Sequence, residues 1–136
     1  MKTYKNLEIY QSAFNLAVNI YRMNIMLPNQ ELVKHGNKLR RMTIQIKDLI
    51  ADGYSISKNE DELTKYLLQV KIVCDETVLL LNKIKKSHSK SQSVNYFILE
   101  YIKLKNAINK TVSGLEKNSA ILRIPYTENK VLEPKI

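Results

Sequence analysis

The sequence is short of the residues that make tight turns, cross-links and membrane spans. Three Gly and three Pro among 136 residues argue against an all-β fold, which spends both on its many turns. The single cysteine, Cys74, excludes an internal disulfide framework and any multi-cysteine zinc or iron–sulfur site. No apolar run approaches the ~18 residues of a membrane span, so no membrane association is expected. The opening Met1-Lys2-Thr3-Tyr4-Lys5 runs into a polar-broken stretch, which is not the apolar core of a secretory signal. Acidic residues are also scarce: 13 Asp and Glu against 22 Lys and Arg leave a net charge of +9. These absences lead to the expectation of a soluble, basic, helical, cytoplasmic domain.

Four long segments carry helical periodicity. Segment A, about 7–27, has one stripe at Leu7, Tyr10, Phe14, Ala17, Tyr21 and Ile25 and a neighbouring one at Ile9, Ala13, Leu16, Ile20, Met23 and Leu27. Steps of three and four keep side chains on one helix face, and two stripes predict that A touches two partners. Pro28-Asn29 stops A and offers Asn29 as the next N-cap. Segment B, about 30–54, carries Leu39, Met42, Ile46, Leu49, Ile50 and Gly53, with Gly36 marking a bend or a close contact.

Ser57-Lys58-Asn59-Glu60 reads as a capping box that starts segment C, about 59–86. C's near-heptad stripe is Leu63, Tyr66, Leu67, Val70, Val73, Cys74, Thr77, Leu81 and Ile84. A polar link, Ser87-His88-Ser89-Lys90-Ser91, leads to segment D, about 92–117, with Val94, Ile98, Tyr101, Leu104, Ile108, Val112 and Leu115 facing inward. The remainder, 118–136, holds Pro125 and Pro134 and reads as a non-helical tail. Helices of ~20–28 residues are about 30–42 Å long. Short links between them predict an all-α fold, an antiparallel up-down-up-down four-helix bundle over 1–117.

Catalytic chemistry has no visible constellation. His35 and His88 are far apart in sequence, and Glu31 with His35 does not supply the repeated Glu-x-x-His of a di-iron bundle. Cys74 lies on an apolar stripe with no histidine near it on the same helix, which predicts a buried, inert thiol. Glu60, Asp61 and Glu62 sit where a helix start favours negative charge. No phosphate-cradling glycine loop is present. The expectation is no catalytic residue, no metal and no cofactor.

The basic charge is the remaining signal. Lys34, Lys38, Arg40, Arg41 and Lys47 fall in a stretch of B without a carboxylate. At 100° per residue Lys34, Lys38 and Arg41 share one face, while Arg40 and Lys47, seven apart, form a second ridge. Lys83, Lys85, Lys86 and Lys90 close C and enter the link, and Lys103, Lys110 and Lys117 recur every seventh residue on D. Clustered cations on a chain of net charge +9 and pI ≈ 9.6 read as phosphate binding, RNA or DNA, without sequence preference. A solubilising lysine coat, or Arg40 and Arg41 pairing across a subunit boundary with Glu8, Asp48 or Asp52, would use the same residues. Tyr10, Tyr21, Tyr66 and Tyr101 fall on apolar stripes, which assigns them to core or interface packing rather than base stacking.

Tyr4-Lys5-Asn6-Leu7-Glu8-Ile9-Tyr10-Gln11, followed by Ala13 and Leu16-Ala17, resembles the opening of the four-helix bundle family encoded by intervening sequences of bacterial 23S rRNA genes. The likeness continues through Leu27-Pro28, Gly36, Leu39-Arg40-Arg41 and Ile46 to Leu49-Ile50-Ala51-Asp52-Gly53-Tyr54, where the family reads Asn-Ile-Ala-Glu-Gly-Tyr. Gln45-Ile46-Lys47-Asp48 stands where the family has Ser-Ile-Pro-Ser, so B is expected to be straighter. Only Lys58 follows Gly53-Tyr54 before three acids, thinning a basic surface of the family. The resemblance implies a homo-oligomer, a pentameric ring in known relatives. It also extends to the accessory variability determinants of diversity-generating retroelements, which bind nucleic acid and partner a reverse transcriptase. The expected function is therefore a non-catalytic, nucleic-acid-binding bundle; the alternative is a module that docks a protein such as a reverse transcriptase.

Overall fold

Apolar spacing of three and four residues decides the secondary structure. The computed structural model describes residues 4–24, 32–87 and 91–127. Among them are four α-helices and no strand: α1 (Glu8–Asn24), α2 (Asn37–Ile56), α3 (Glu60–Ser87) and α4 (Ser91–Thr127). A 3-10 turn, Tyr4–Asn6, precedes α1, and a π turn, Leu32–Gly36, leads into α2. Each helix packs against the next, and α1 also packs against α4. The expected cap at Pro28-Asn29, the stripe ends Ile25 and Leu27, and residues 128–136 lie outside the described residues.

One stripe from each helix meets in a common core. Ala13, Leu16 and Ile20 come from α1, and Leu39, Met42, Ile46 and Ile50 from α2. Leu67, Val70, Cys74, Leu81 and Ile84 of α3 meet Val94, Ile98, Tyr101, Leu104, Ile108 and Val112 of α4. The inward positions expected on C and D are thus buried or half-buried throughout. α1 differs from expectation. Its second stripe enters the core, while Phe14 and Tyr21 of the first remain 46% and 48% exposed.

Three boundaries depart from the sequence reading. The start of B is a π turn followed by an α-helix. There the side chain of Asn24, 3% exposed, donates from Nδ2 to the buried Gly36 carbonyl at 2.7 Å, tying the end of α1 to the start of α2. The cap of α3 lies two residues later than expected. Asn59 Oδ1 accepts the Glu62 N–H at 2.9 Å, and Glu62 Oε1 accepts the Lys58 N–H at 2.7 Å, so Asn59 and Glu62 play the reciprocal parts. Ser57 is not the cap because α2 runs on to Ile56, leaving Ser57 as its extended terminator. Finally, the expected non-helical tail at 118 is helical to Thr127. No Gly or Pro lies between Gly114 and Pro125, so the backbone has no reason to stop at Lys117.

The two helical glycines on which a methyl can be built make opposite predictions. A Cβ on Gly53 would lie 2.9 Å from Tyr66 Cβ and 3.2 Å from Leu63 Cδ1, whereas one on Gly114 would meet nothing within 4 Å. Gly53→Ala is expected to destabilise by about 1–3 kcal/mol through overpacking of α2 on α3. Gly114→Ala is expected to stabilise by roughly 0.5–1 kcal/mol by reducing unfolded-chain freedom. Urea unfolding of the two variants measures both.

Candidate nucleic-acid interface

A cation can meet a phosphate only if it is exposed and not already neutralised. Lys34, in the π turn, and Lys38, Arg40 and Arg41, at the start of α2, are all exposed. No ion pair to these four is present among the described residues. Lys47 differs: its ammonium lies 2.6 Å from Asp48 Oδ1, and its side chain is only 23% exposed. The hydrogen bond that Lys47 donates to Asp48 is the main reason that Lys47 holds its proton above the ordinary lysine range. The sequence reading counted Lys47 as unopposed because it stopped at the neighbouring acid; the structure joins the two.

At the far end of α3, Lys83, Lys85 and Lys86 are exposed. Lys85 donates to Asn95 Oδ1 at 3.2 Å, an uncharged partner that leaves its charge intact. Lys90 lies outside the described residues, as does His88. On α4, Lys103 reaches Glu100 at 3.3 Å and Lys105 reaches Asp75 of α3 at 2.7 Å. Lys103 and Lys105 of α4 are therefore paired where the cations opening α2 are not.

A groove lies between α1 and α2, lined by Phe14, Ala17, Val18 and Tyr21 on one side and Arg40, Ile44 and Lys47 on the other, with a volume of about 290 Å³. Phe14 and Tyr21 stand two helical turns apart with only the small Ala17 and Val18 between them, which opens the depression. The Arg40 guanidinium lies over the Tyr21 ring, 4.7 Å from its centroid, a distance at which the ring's quadrupole attracts the cation. Tyr10 stacks on Phe14 at 6.3 Å, and Tyr4 meets Tyr10 edge-on at 4.8 Å. Sequence spacing placed Tyr21 on an apolar stripe but did not reveal that the stripe faces outward. The contact with Arg40 joins two helices and has no local signature.

The polar groups inside the core have no such freedom. Thr43 and Thr77 are fully buried and return their hydroxyls to the carbonyls of Arg40 and Val73 on their own helices. Cys74 and Tyr101 border a cavity of about 480 Å³ between α3 and α4, together with Val78, Leu79 and Ile102. Burial pushes the Cys74 thiol up to about 12, with the nearby Asp75 carboxylate adding to the shift. It also pushes the Tyr101 phenol upward, and that hydroxyl has no hydrogen-bond partner among the described residues. Among the described residues no three His, Cys, Asp or Glu side chains gather as a metal site would require. Nor is any helix there long and apolar enough to cross a membrane.

The chain matches no protein-family model, no curated protein and no solved structure.

The buried thiol carries a pH prediction. A thiol whose folded value lies above its unfolded value favours the fold below the unfolded value, and that contribution fades as pH rises toward the folded one. Stability is expected to fall between pH 9.0 and about 12, and to fall less in Cys74→Ala. The melting temperature across that range checks it. A thiol reagent at mildly alkaline pH should label the protein only after unfolding.

Proposed function

We propose that this protein is a non-catalytic four-helix bundle that binds RNA or DNA through the basic surface at one end of its helices. Antiparallel packing is supported by the contacts. Residues 75 and 85 of α3 meet residues 105 and 95 of α4, and residues 21 and 24 of α1 meet residues 40 and 36. In such an up-down-up-down bundle the start of α2 and the end of α3 share one end. Lys34, Lys38 and Arg41 then stand with Lys83, Lys85 and Lys86, two clusters that are more than forty residues apart in sequence.

The observation that carries the reading is the set of four exposed cations at the start of α2, unpaired among the described residues. Lys38, Arg40 and Arg41 follow the π turn Leu32–Gly36 without a break in the helix, whereas α3 opens with Glu60, Asp61 and Glu62 at its own start, where the positive end of its dipole favours acids. The first turn of α2 holds no acid. Backbone phosphate is the ligand class that would use such a patch, with affinity falling steeply as salt rises. The resemblance to the 23S rRNA intervening-sequence proteins and the retroelement accessory proteins points the same way.

Titration of labelled oligonucleotides at two salt concentrations tests the proposal. Native protein is expected to bind at low salt and to lose affinity as salt rises. Lys34→Glu with Lys38→Glu should weaken binding to all sequences alike and flatten the salt dependence. Absence of binding at low salt, or indifference to salt, overturns it. If Arg40 and Arg41 instead hold a subunit boundary, reversing their charge disrupts assembly before it weakens binding.

A second reading, a protein-docking module that includes self-association, is favoured by an apolar strip on α3 and α4. Ile72 and Leu79 of α3 are 55% and 64% exposed, and Leu99 and Ile102 of α4 are 54% and 41% exposed. Surfaces of this kind mark interaction sites. A second copy is the occupant that the family resemblance suggests, in a ring, and a reverse transcriptase is the other. Ile72→Lys with Leu79→Lys is expected to lower the mass seen by sedimentation while leaving the helical content unchanged; an unchanged mass removes the self-association version.

A further inference from the structure

We infer that the groove between α1 and α2 is a base-stacking site, so that the protein prefers single-stranded nucleic acid to duplex. The inference rests on the nucleic-acid reading and goes further by naming the form of the ligand. Single strands are held where exposed aromatic faces lie beside cations, because every base has a π face and every nucleotide a phosphate. This groove has both. Phe14 and Tyr21 are about half exposed, and they are separated along α1 by seven residues, about 10 Å. That span is close to three stacking steps of ~3.4 Å each.

Charge complementarity selects nucleic acid over an apolar protein segment. The charged side chains lining the groove, Arg40 and Lys47, are both basic; Lys47 is bridged to Asp48, which leaves Arg40 as the cation that answers a phosphate. Arg40 is exposed, and its guanidinium carbon stands 4.7 Å from the Tyr21 ring centroid. A base inserted there would exchange one stacking partner of the ring for another and leave the guanidinium free to reach the adjoining phosphate. Arg40 borders the groove, and Arg41, the next residue, stands about 100° round the same helix. A duplex keeps its bases stacked on one another and can use the cations only.

Binding of an oligothymidine and of a hairpin duplex of equal length, at one low salt concentration, tests this. Tyr21→Ala is expected to weaken the single strand about 5- to 100-fold, the range for loss of one stacked base, and to leave the duplex unchanged; Tyr21→Phe restores the native value. Because the chain has no tryptophan, Tyr21→Trp supplies a lone indole, expected to be quenched by the single strand and not by the duplex. Equal loss of both forms, or no loss in Tyr21→Ala, overturns the stacking site while leaving salt-dependent binding by the native protein intact. An indole blue shift that grows with protein concentration alone also overturns it, by showing that a second copy covers the groove. Binding of neither form by the native protein removes the nucleic-acid reading and the stacking site together.

Discussion

Each of the four helices has to bury its apolar stripe in the same core, and that requirement sends every strong charge to the surface. Ile20, Ile46, Leu67 and Tyr101, one from each helix, are all fully buried. An unpaired charge among them would cost several kcal/mol even after relaxation. The buried polar groups therefore stay neutral and mostly local. Thr43 and Thr77 bond to carbonyls of their own helices, and Asn24 uses its amide to hold the Gly36 carbonyl across the first connection. With the interior committed to packing, whatever the chain recognises is recognised by its exterior.

On that exterior the two signs of charge are not handled alike. Acids open α3, where the dipole welcomes them. Two cations of α4, Lys103 and Lys105, engage the acids Glu100 and Asp75. Lys38, Arg40 and Arg41 follow the π turn without a break in the helix, and no carboxylate pairs with them among the described residues. Under the proposed function these unpaired cations form a phosphate-binding patch, whereas a solubilising coat would use the same residues.

The fold was legible in the sequence wherever one stripe stood alone. The inward positions of α3 and α4, from Leu67 to Ile84 and from Val94 to Val112, follow from spacing by three and four. On α1 two stripes competed. Spacing could not choose between Ala13–Leu16–Ile20 and Phe14–Tyr21, because the choice depends on which face the other helices present, and small Ala13 permits the closer approach. The cap of α3 was assigned to the right kind of motif at the wrong residue, since where α2 ends decides whether Ser57 or Asn59 is available. Of the candidate site, the residues were visible and their relations were not. Lys47 with Asp48 is a neighbour contact that a charge count overlooks, and Arg40 over Tyr21 is a tertiary contact without a local signal.

The two functional readings do not compete for the same surface. The cationic groove belongs to α1 and α2, while the uncovered apolar strip of Ile72, Leu79, Leu99 and Ile102 belongs to α3 and α4. In the proposed bundle those pairs form opposite sides. An apolar contact made through α3 and α4 would therefore leave the groove and the basic end open, and it would multiply them. Several copies presenting one weak phosphate-binding patch each would bind a long strand far more tightly than one copy, through effective concentration alone. Under the proposed function, self-association would turn four cations per chain into an effective nucleic-acid surface, and would join the exposed apolar strip to the unpaired charges.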